Sequence, residues 1–234
     1  LLSNPLIVWL RRNLGPIIAL AIMFSLLTFA TDTFLVPNNL ISVLRNVCVN
    51  CLIAFGITCV LIGNGIDLSV GSVVAAAGVL AVRLANANVP IIICVLVALL
   101  FGALVGLING TIIAYTSLPP FIVTLSTQII VRGISYILTG GQPTQCTNEA
   151  FNNLGTGYLI GIPIPVIIVA VAMLALFLIM NRTVFGRHVY AVGGNREAAK
   201  YAGVKVKWVQ QRVFIISGVM AAMAIHRSLA FEAA

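Results

Sequence analysis

Acidic and histidine residues are too dispersed along this 234-residue chain to form a recognisable catalytic group. General acid–base catalysis needs titratable groups within hydrogen-bond reach of the substrate, and a metal site needs clustered ligands. Neither His188 nor His226 has a Cys, Ser or acidic partner at a recognisable spacing. The acidic residues are Asp32, Asp67, Glu149, Glu197 and Glu232. The sequence therefore predicts no catalytic residue, no metal site and no bound cofactor.

The sequence contains one C-x-x-C pair and no nucleotide-binding loop. Cys48 and Cys51 form a C-x-x-C, but no second Cys or His pair stands nearby, so we interpret both as packing residues of an apolar run. No phosphate-binding G-x-x-x-x-G-K-[ST] loop occurs in the 234 residues. Any dependence on ATP would therefore require a partner subunit.

A polar, glycine-rich segment interrupts two apolar runs at residues 63–71. Unpaired backbone is unfavourable in lipid, so a broken or re-entrant segment of this kind has to face protein, water or the interface. In one interpretation Asp67 or Ser69 caps the first turn of the next helix at the cytoplasmic interface. In the other, Asp67 belongs to a gate or translocation path, because acids within membrane spans are functional candidates.

Further hydrogen-bonding side chains lie within the apolar runs, where they are expected to face the interior of a helix bundle or a wet cavity. They could line a route for a polyhydroxylated solute, or they could only hydrogen-bond between helices. Arg45 could also extend toward the outer interface. These residues are Arg45, Asn50, Asn109, Ser126, Gln128 and Arg132.

Residues 195–203 are predicted to form a short surface helix with both ends specified. Asn195 is a favourable N-cap, Glu197 complements the positive start of a helix, and Lys200 complements its negative end. Gly203 suits the left-handed residue that ends a helix. So short a helix needs a partner surface, and we expect it to dock another subunit; an interfacial stabiliser is the alternative. The docking candidates are Asn195, Arg196, Glu197, Ala198, Ala199, Lys200 and Gly203.

The composition shows which elements must position these residues. Hydrophobic residues make up 61% of the chain and charged residues only 8%, which is too apolar for an ordinary soluble domain. The excess lies in seven runs long enough to be transmembrane helices, so the lipid bilayer is expected to surround most of the chain. The runs are residues 14–30, 40–62, 70–85, 90–115, 121–138, 162–180 and 208–224. In the fourth, Gly102, Gly106 and Gly110 share one helix face and predict close approach of another helix.

The charged residues predict the orientation. With a cytoplasmic N-terminus, the outside segments 31–39, 86–89 and 139–161 contain two acids and no Lys or Arg. The inside segments carry the basic residues, which is the positive-inside pattern. The net charge of +8 is thus explained by topology, and we predict no nucleic-acid partner. The inside basic residues are Arg11, Arg12, Arg182, Arg187, Arg196, Lys200, Lys205 and Lys207.

Several ordered motifs resemble one known family. They are G-I-D-L-S-V-G at residues 65–71, G-L-I-N-G at 106–110, P-F-I-V-T-L at 120–125, F-G at 185–186, G-G-N at 193–195 and A-A at 198–199. In this order they resemble the permease subunits of bacterial ATP-binding-cassette importers for simple sugars of the ribose, galactoside and xylose type. The resemblance covers residues 14–224.

The resemblance implies an all-α transmembrane bundle with a cytoplasmic coupling helix at residues 195–203. Its implied partners are a cytoplasmic ATP-binding subunit, a periplasmic sugar-binding protein and a second permease copy or a paralogue, in a bacterial inner membrane. The family continues for about three more spans, so residues 1–234 are expected to be one permease domain lacking the C-terminal spans. The alternatives are an ion-coupled secondary transporter or channel, with Asp67 in coupling, and a truncated fragment that does not transport.

Overall fold

A computed structural model describes Val8 and residues 13–224 of the chain, and this part is helical apart from one small β-hairpin. Arg11, Arg12, His226 and Glu232 lie outside the described residues. The elements are α1 (Leu14–Ala30), α2 (Pro37–Ile62), α3 (Val70–Asn86), α4 (Ile91–Tyr115), α5 (Pro120–Thr139), α6 (Glu149–Thr156), β1 (Tyr158–Leu159), β2 (Ile162–Pro163), α7 (Ile164–Arg182), α8 (Val184–Gly194), α9 (Arg196–Tyr201) and α10 (Val206–Met223).

Each of the seven apolar runs corresponds to a helix, namely α1, α2, α3, α4, α5, α7 and α10. Four of them, α2, α4, α5 and α7, are long and apolar enough to cross a membrane, whereas α1 and α3 are apolar but shorter. The first two turns of α10 carry Lys207, Gln210, Gln211 and Arg212, which lower its apolar character. The helical, multi-pass architecture is thus confirmed, with four candidate spans among the described residues.

The described residues fall into two compact units that divide between Leu44 and Arg45. In the first unit, the ring of Phe24 meets the ring of Phe34 edge-on, with 5.2 Å between centroids. The side-chain amide of Asn39 donates to the carbonyl oxygen of Phe34 at 2.9 Å. These contacts connect α1 to the turn before α2.

The core of the second unit surrounds α3. Most of this helix is buried, and its small side chains Ala76, Ala77, Ala81 and Ala85 are fully so. Helices α4, α5 and α10 all pack against α3, and α10 packs most extensively against α4. Because alanine keeps helix axes close, α3 can be enclosed by several neighbours at once.

The glycine face of α4 contacts the backbone of α10, as the four-residue spacing predicted. A Cβ atom at Gly102 would overlap the carbonyl oxygen of Gly218, and one at Gly106 would overlap that of Phe214. At Gly110 it would lie 2.7 Å from the Cα atom of Gln211. The two helices are therefore in direct backbone contact, which only residues without a side chain permit.

In the second unit, segments that the sequence predicts on the same side of the membrane contact one another. The side chain of Asn86 bonds to both Gln145 and Thr147, which joins two predicted outside segments. At the opposite end the Lys207 ammonium lies 4.3 Å from the centroid of the Tyr115 ring. A Cβ at Gly193 would overlap the carbonyl oxygen of Ile62, which also belongs to this end.

Three elements were not predicted from the sequence: α6, the hairpin of β1 and β2, and α8. The N-cap of α6 is Asn148, whose side chain accepts the Phe151 N–H at 3.1 Å. The N-cap of α8 is Thr183, whose hydroxyl accepts the Gly186 N–H at 3.2 Å. These helices are short, so caps and tertiary contacts determine them more than any apolar periodicity does.

Replacement of Gly106 by Ala should separate α4 from α10. The new methyl group overlaps backbone atoms that cannot rotate away, so we expect a loss of at least about 3 kcal/mol of unfolding free energy. Gly133→Ala on α5 is the matched control, because a Cβ there has no neighbour within 4 Å. Thermal unfolding of the detergent-solubilised variants measures both; equal stability of the two would contradict the backbone contact.

Candidate functional site

Five polar side chains join in a hydrogen-bonded cluster inside the second unit. The Thr127 hydroxyl donates to Asn109 Oδ1 at 2.6 Å, and Asn109 Nδ2 donates to Ser69 Oγ at 3.0 Å. Ser69 Oγ donates in turn to Asp67 Oδ1 at 2.6 Å. From the other side, the Ser217 hydroxyl donates to Asp67 Oδ2 at 2.8 Å. The donors of the cluster thus converge on the carboxylate of Asp67.

Burial makes this cluster energetically important. Asp67 is 4% exposed, Ser69 is 2% exposed, and Asn109 and Ser217 are fully buried. A buried carboxylate is tolerated when hydrogen bonds replace its water, and Asp67 receives a third one from the Ser69 N–H at 3.0 Å. Chains of hydrogen bonds also strengthen one another in a low-dielectric interior.

The cluster lies deeper than the ends of the helices. At a rise of 1.5 Å per residue, Ser217 is about 16 Å from the start of α10, and Asn109 is about 9 Å from the end of α4. Both ends meet where Lys207 covers Tyr115. The connection between α2 and α3 therefore enters the helix bundle.

Thr124 of α5 forms hydrogen bonds with backbone groups of this connection that no helix pairs. Its hydroxyl accepts the Leu68 N–H at 3.2 Å and lies 3.3 Å from the Ile66 carbonyl oxygen. Gly65 donates its N–H to the carbonyl oxygen of Val60 at 2.9 Å. The segment was expected to face protein, water or the interface, and these contacts pair part of its backbone with protein. The capping expectation for Ser69 is wrong: Ser69 occupies the N-cap position, but its side chain accepts no helix N–H.

Of the five residues predicted for a path or gate, the structure brings together Asp67, Ser69 and Asn109. Asn50 is exposed on α2 and Gln128 is half-buried on α5, and neither joins the cluster. Sequence reasoning missed the roles of Thr124, Thr127 and Ser217. The available signal was a hydroxyl residue inside an apolar run, and Thr124 also lies in the P-F-I-V-T-L motif.

The remaining polar span residues have separate surroundings. The Arg45 guanidinium donates to the carbonyl oxygen of Thr156 and lies 5.4 Å from the centroid of the Tyr158 ring. It therefore lies at the predicted outer end, as one of its three interpretations required. Ser126 Oγ donates to the Ile122 carbonyl oxygen of its own helix at 2.9 Å, and Arg132 is exposed.

The short helix α9 has the predicted ends. Asn195 Oδ1 accepts the Ala198 N–H at 2.9 Å, with Glu197 in the first turn and Lys200 in the last. Gly203 has a φ of 82°, the left-handed conformation that ends helices. The capping prediction is thus confirmed for both ends.

One face of α9 is fixed to the rest of the chain and the other is free. Ala199 is buried in the hydrophobic core, and Arg196 Nη2 donates to Gln210 Oε1 of α10 at 3.2 Å. Ala198 and Lys200 are exposed, and Tyr201 is 87% exposed. Ala199 therefore anchors the helix, while the residues available to a partner are on its exposed side.

The fold and the polar cluster define a multi-pass helical membrane protein whose residues 39–226 match the family model described as "Branched-chain amino acid transport system / permease component". The chain belongs to this family of transport permeases, which are proteins of the inner membrane.

Curated relatives match along nearly the whole chain. The "Ribose import permease protein" of Haemophilus influenzae is 38% identical over 211 residues, which are 88% of this chain and 65% of the relative. The protein of the same name from Bacillus subtilis is 37% identical, with coverage of 91% and 67%. The "D-allose transport system permease protein" of Escherichia coli is 36% identical, with coverage of 90% and 65%. The chain thus spans about two thirds of their length. No solved structure matches it significantly.

Removal of the Asp67 carboxylate should destabilise the second unit, because it leaves the Ser69 and Ser217 donors buried without an acceptor. We expect Asp67→Ala to cost about 3 kcal/mol and Ser217→Ala about 1–2 kcal/mol. The double variant should lose about 1 kcal/mol less than their sum, because they share one hydrogen bond.

Thermal unfolding in detergent gives these values. Ser126→Ala is the control for loss of a hydroxyl on an exposed helix surface. Strict additivity of Asp67→Ala and Ser217→Ala would contradict a direct bond between the two side chains.

Proposed function

We propose that this chain is the membrane-spanning subunit of an ATP-binding-cassette importer that moves a monosaccharide across a bacterial inner membrane. The observation that carries the proposal is identity of 34–38% to permeases whose names specify ribose import and D-allose transport, over about nine tenths of the chain. The family match over residues 39–226 extends across all the described helices of the second unit. This makes a shared mode of transport the simplest explanation.

The proposed assembly contains a cytoplasmic ATP-binding subunit, a periplasmic sugar-binding protein and a second permease, either an identical copy or a paralogue. The cytoplasmic N-terminus, the seven spans and the single permease domain are parts of this proposal. Positive-inside counting supports the orientation, since the predicted inside segment between the sixth and seventh runs contains Arg182, Arg187, Arg196, Lys200, Lys205 and Lys207.

Asp67, Ser69 and Asn109 are proposed to act as a latch on the translocation path. Their hydrogen bonds hold the connection between α2 and α3 against α4 and α10. A sliding of α10 would break the bond between Ser217 and Asp67, and the connection would then be released from α10. Asn50 and Gln128 remain candidates for the route itself, because amides on membrane-spanning helices can hydrogen-bond to sugar hydroxyls.

The transport proposal is tested with the chain reconstituted together with candidate ATP-binding and sugar-binding subunits. We expect uptake of radiolabelled ribose, allose, arabinose or galactose that requires hydrolysable ATP, with a non-hydrolysable analogue as the control. Uptake driven by a sodium or proton gradient without ATP would instead indicate an ion-coupled secondary transporter.

The helix α9 is the proposed coupling element, with Asn195 and Gly203 setting its ends and Ala199 anchoring it. Its exposed residues Glu197, Ala198 and Tyr201 would form the contact with the ATP-binding subunit. An exposed tyrosine is a frequent centre of binding energy, because it contributes a large rigid contact area.

Tyr201→Ala should therefore weaken association with the ATP-binding subunit about thirtyfold. Tyr190→Ala is the matched control, since Tyr190 is an exposed tyrosine on the neighbouring helix α8. Membrane levels of both variants should equal those of the parent chain. Quantitative co-purification gives the affinities, and equal association of the two variants would rule out α9 as the coupling element.

A further inference from the structure

A basic recess of about 630 Å³ opens where α4 ends and α10 begins. The residues that line this basic recess are Tyr115, Arg196, Glu197, Lys200, Lys205, Val206, Lys207, Trp208 and Gln211. None of the residues of the Asp67 cluster lines it. The recess is therefore separate from the candidate path.

The charges in the basic recess are unbalanced. Arg196, Lys200, Lys205 and Lys207 contribute four cations, and Glu197 is the one acid in the lining. Like charges close together repel one another, so an anion that enters the recess relieves this repulsion as well as gaining hydrogen bonds from the ammonium and guanidinium groups.

The residues around the recess are those expected at the level of a lipid headgroup. Tyr115 ends α4, one of the helices long and apolar enough to cross a membrane. Trp208 lies in the first turn of α10, and the Lys207 ammonium lies against the Tyr115 ring. Tyrosine and tryptophan concentrate at the level of lipid headgroups, where an aromatic ring has one apolar and one wet side.

An apolar stripe on α4 leads away from the recess. Leu104, Ile108 and Ile112 are exposed, and with the exposed Tyr115 they recur every three or four residues. Such spacing keeps them on one face of the helix. An acyl chain attached to a headgroup in the recess would thus find a continuous apolar surface along the same helix.

We propose that the basic recess binds the phosphate headgroup of an anionic phospholipid, with an acyl chain along the α4 stripe. Basic pockets between transmembrane helices on the cytoplasmic side bind anionic headgroups by this combination of charge and depth. Neutral lipids lack the net charge that the recess compensates. The inference depends on the chain being a membrane protein and is independent of the solute transported.

The test measures lipid binding to the purified chain by native mass spectrometry. We expect phosphatidylglycerol to bind and phosphatidylcholine to bind at least tenfold more weakly. Lys205→Gln with Lys207→Gln should weaken phosphatidylglycerol binding about thirtyfold, while the charge-conserving Lys205→Arg with Lys207→Arg should retain it. The control pair Arg182→Gln with Arg187→Gln removes two exposed cations of the same end outside the recess and should change binding less than threefold.

Each contrary result has a definite meaning. Equal weakening by the two Gln pairs would overturn the site in favour of unspecific attraction to a positive surface. Inorganic phosphate that competes at the affinity of phosphatidylglycerol would indicate an anion site without a role for the acyl chain. Absence of lipid preference, together with loss of ATP-binding-subunit association in Lys205→Gln with Lys207→Gln, would assign the recess to an acidic protein surface.

Discussion

Direct backbone contact between α4 and α10 determines where the polar groups of the second unit can meet. Gly102, Gly106 and Gly218 leave no side chain between the helices, so their axes lie unusually close. Ser217 precedes Gly218 and Asn109 lies between Gly106 and Gly110, so the same approach brings a hydroxyl and an amide toward Asp67. With larger residues at these glycines, the Ser217 hydroxyl could not reach the Asp67 carboxylate while the Asn109 amide reaches Ser69.

A buried carboxylate and a non-helical backbone are both unfavourable in an apolar layer, and this structure compensates for them together. The connection between α2 and α3 places Asp67 beside Ser217, while Thr124 binds the backbone on the other side. The hydrogen bonds that stabilise the charge therefore also hold the connection in place. The cluster is therefore suitable as a latch. One displacement of α10 would remove a hydrogen bond from the Asp67 carboxylate and free the connection between α2 and α3 at the same time.

The helix α9 is anchored to the rest of the chain on one side and exposed to a proposed partner on the other. Ala199 and Arg196 fix the helix to the core and to α10, whereas Tyr201 is almost fully exposed beside the basic recess. A helix of six residues is not stable alone in water, so anchoring comes from the chain itself and leaves the exposed side for a partner. The proposed lipid site shares Arg196 and Lys200 with this helix, so the headgroup would lie next to the proposed subunit contact.

The sequence by itself determined the apolar helices, the glycine face of α4 and the ends of α9. These features depend on composition, periodicity and local capping, which act within a few residues. It also pointed to Asp67, Ser69 and Asn109, because polar groups in apolar runs need partners.

Only the tertiary structure decided which partners those were. Ser217 lies 150 positions from Asp67, and no local rule pairs them. The helix α8 was likewise decided by tertiary contacts. Its residues Gly186, Gly193 and Gly194 have low intrinsic helix propensity, so its sequence does not favour a helix. In the fold, the lack of a side chain at Gly193 is what allows contact with the backbone at Ile62. Close packing between distant segments outweighs local helix propensity in α8. Such long-range contacts cannot be predicted from the spacing of residues along the sequence.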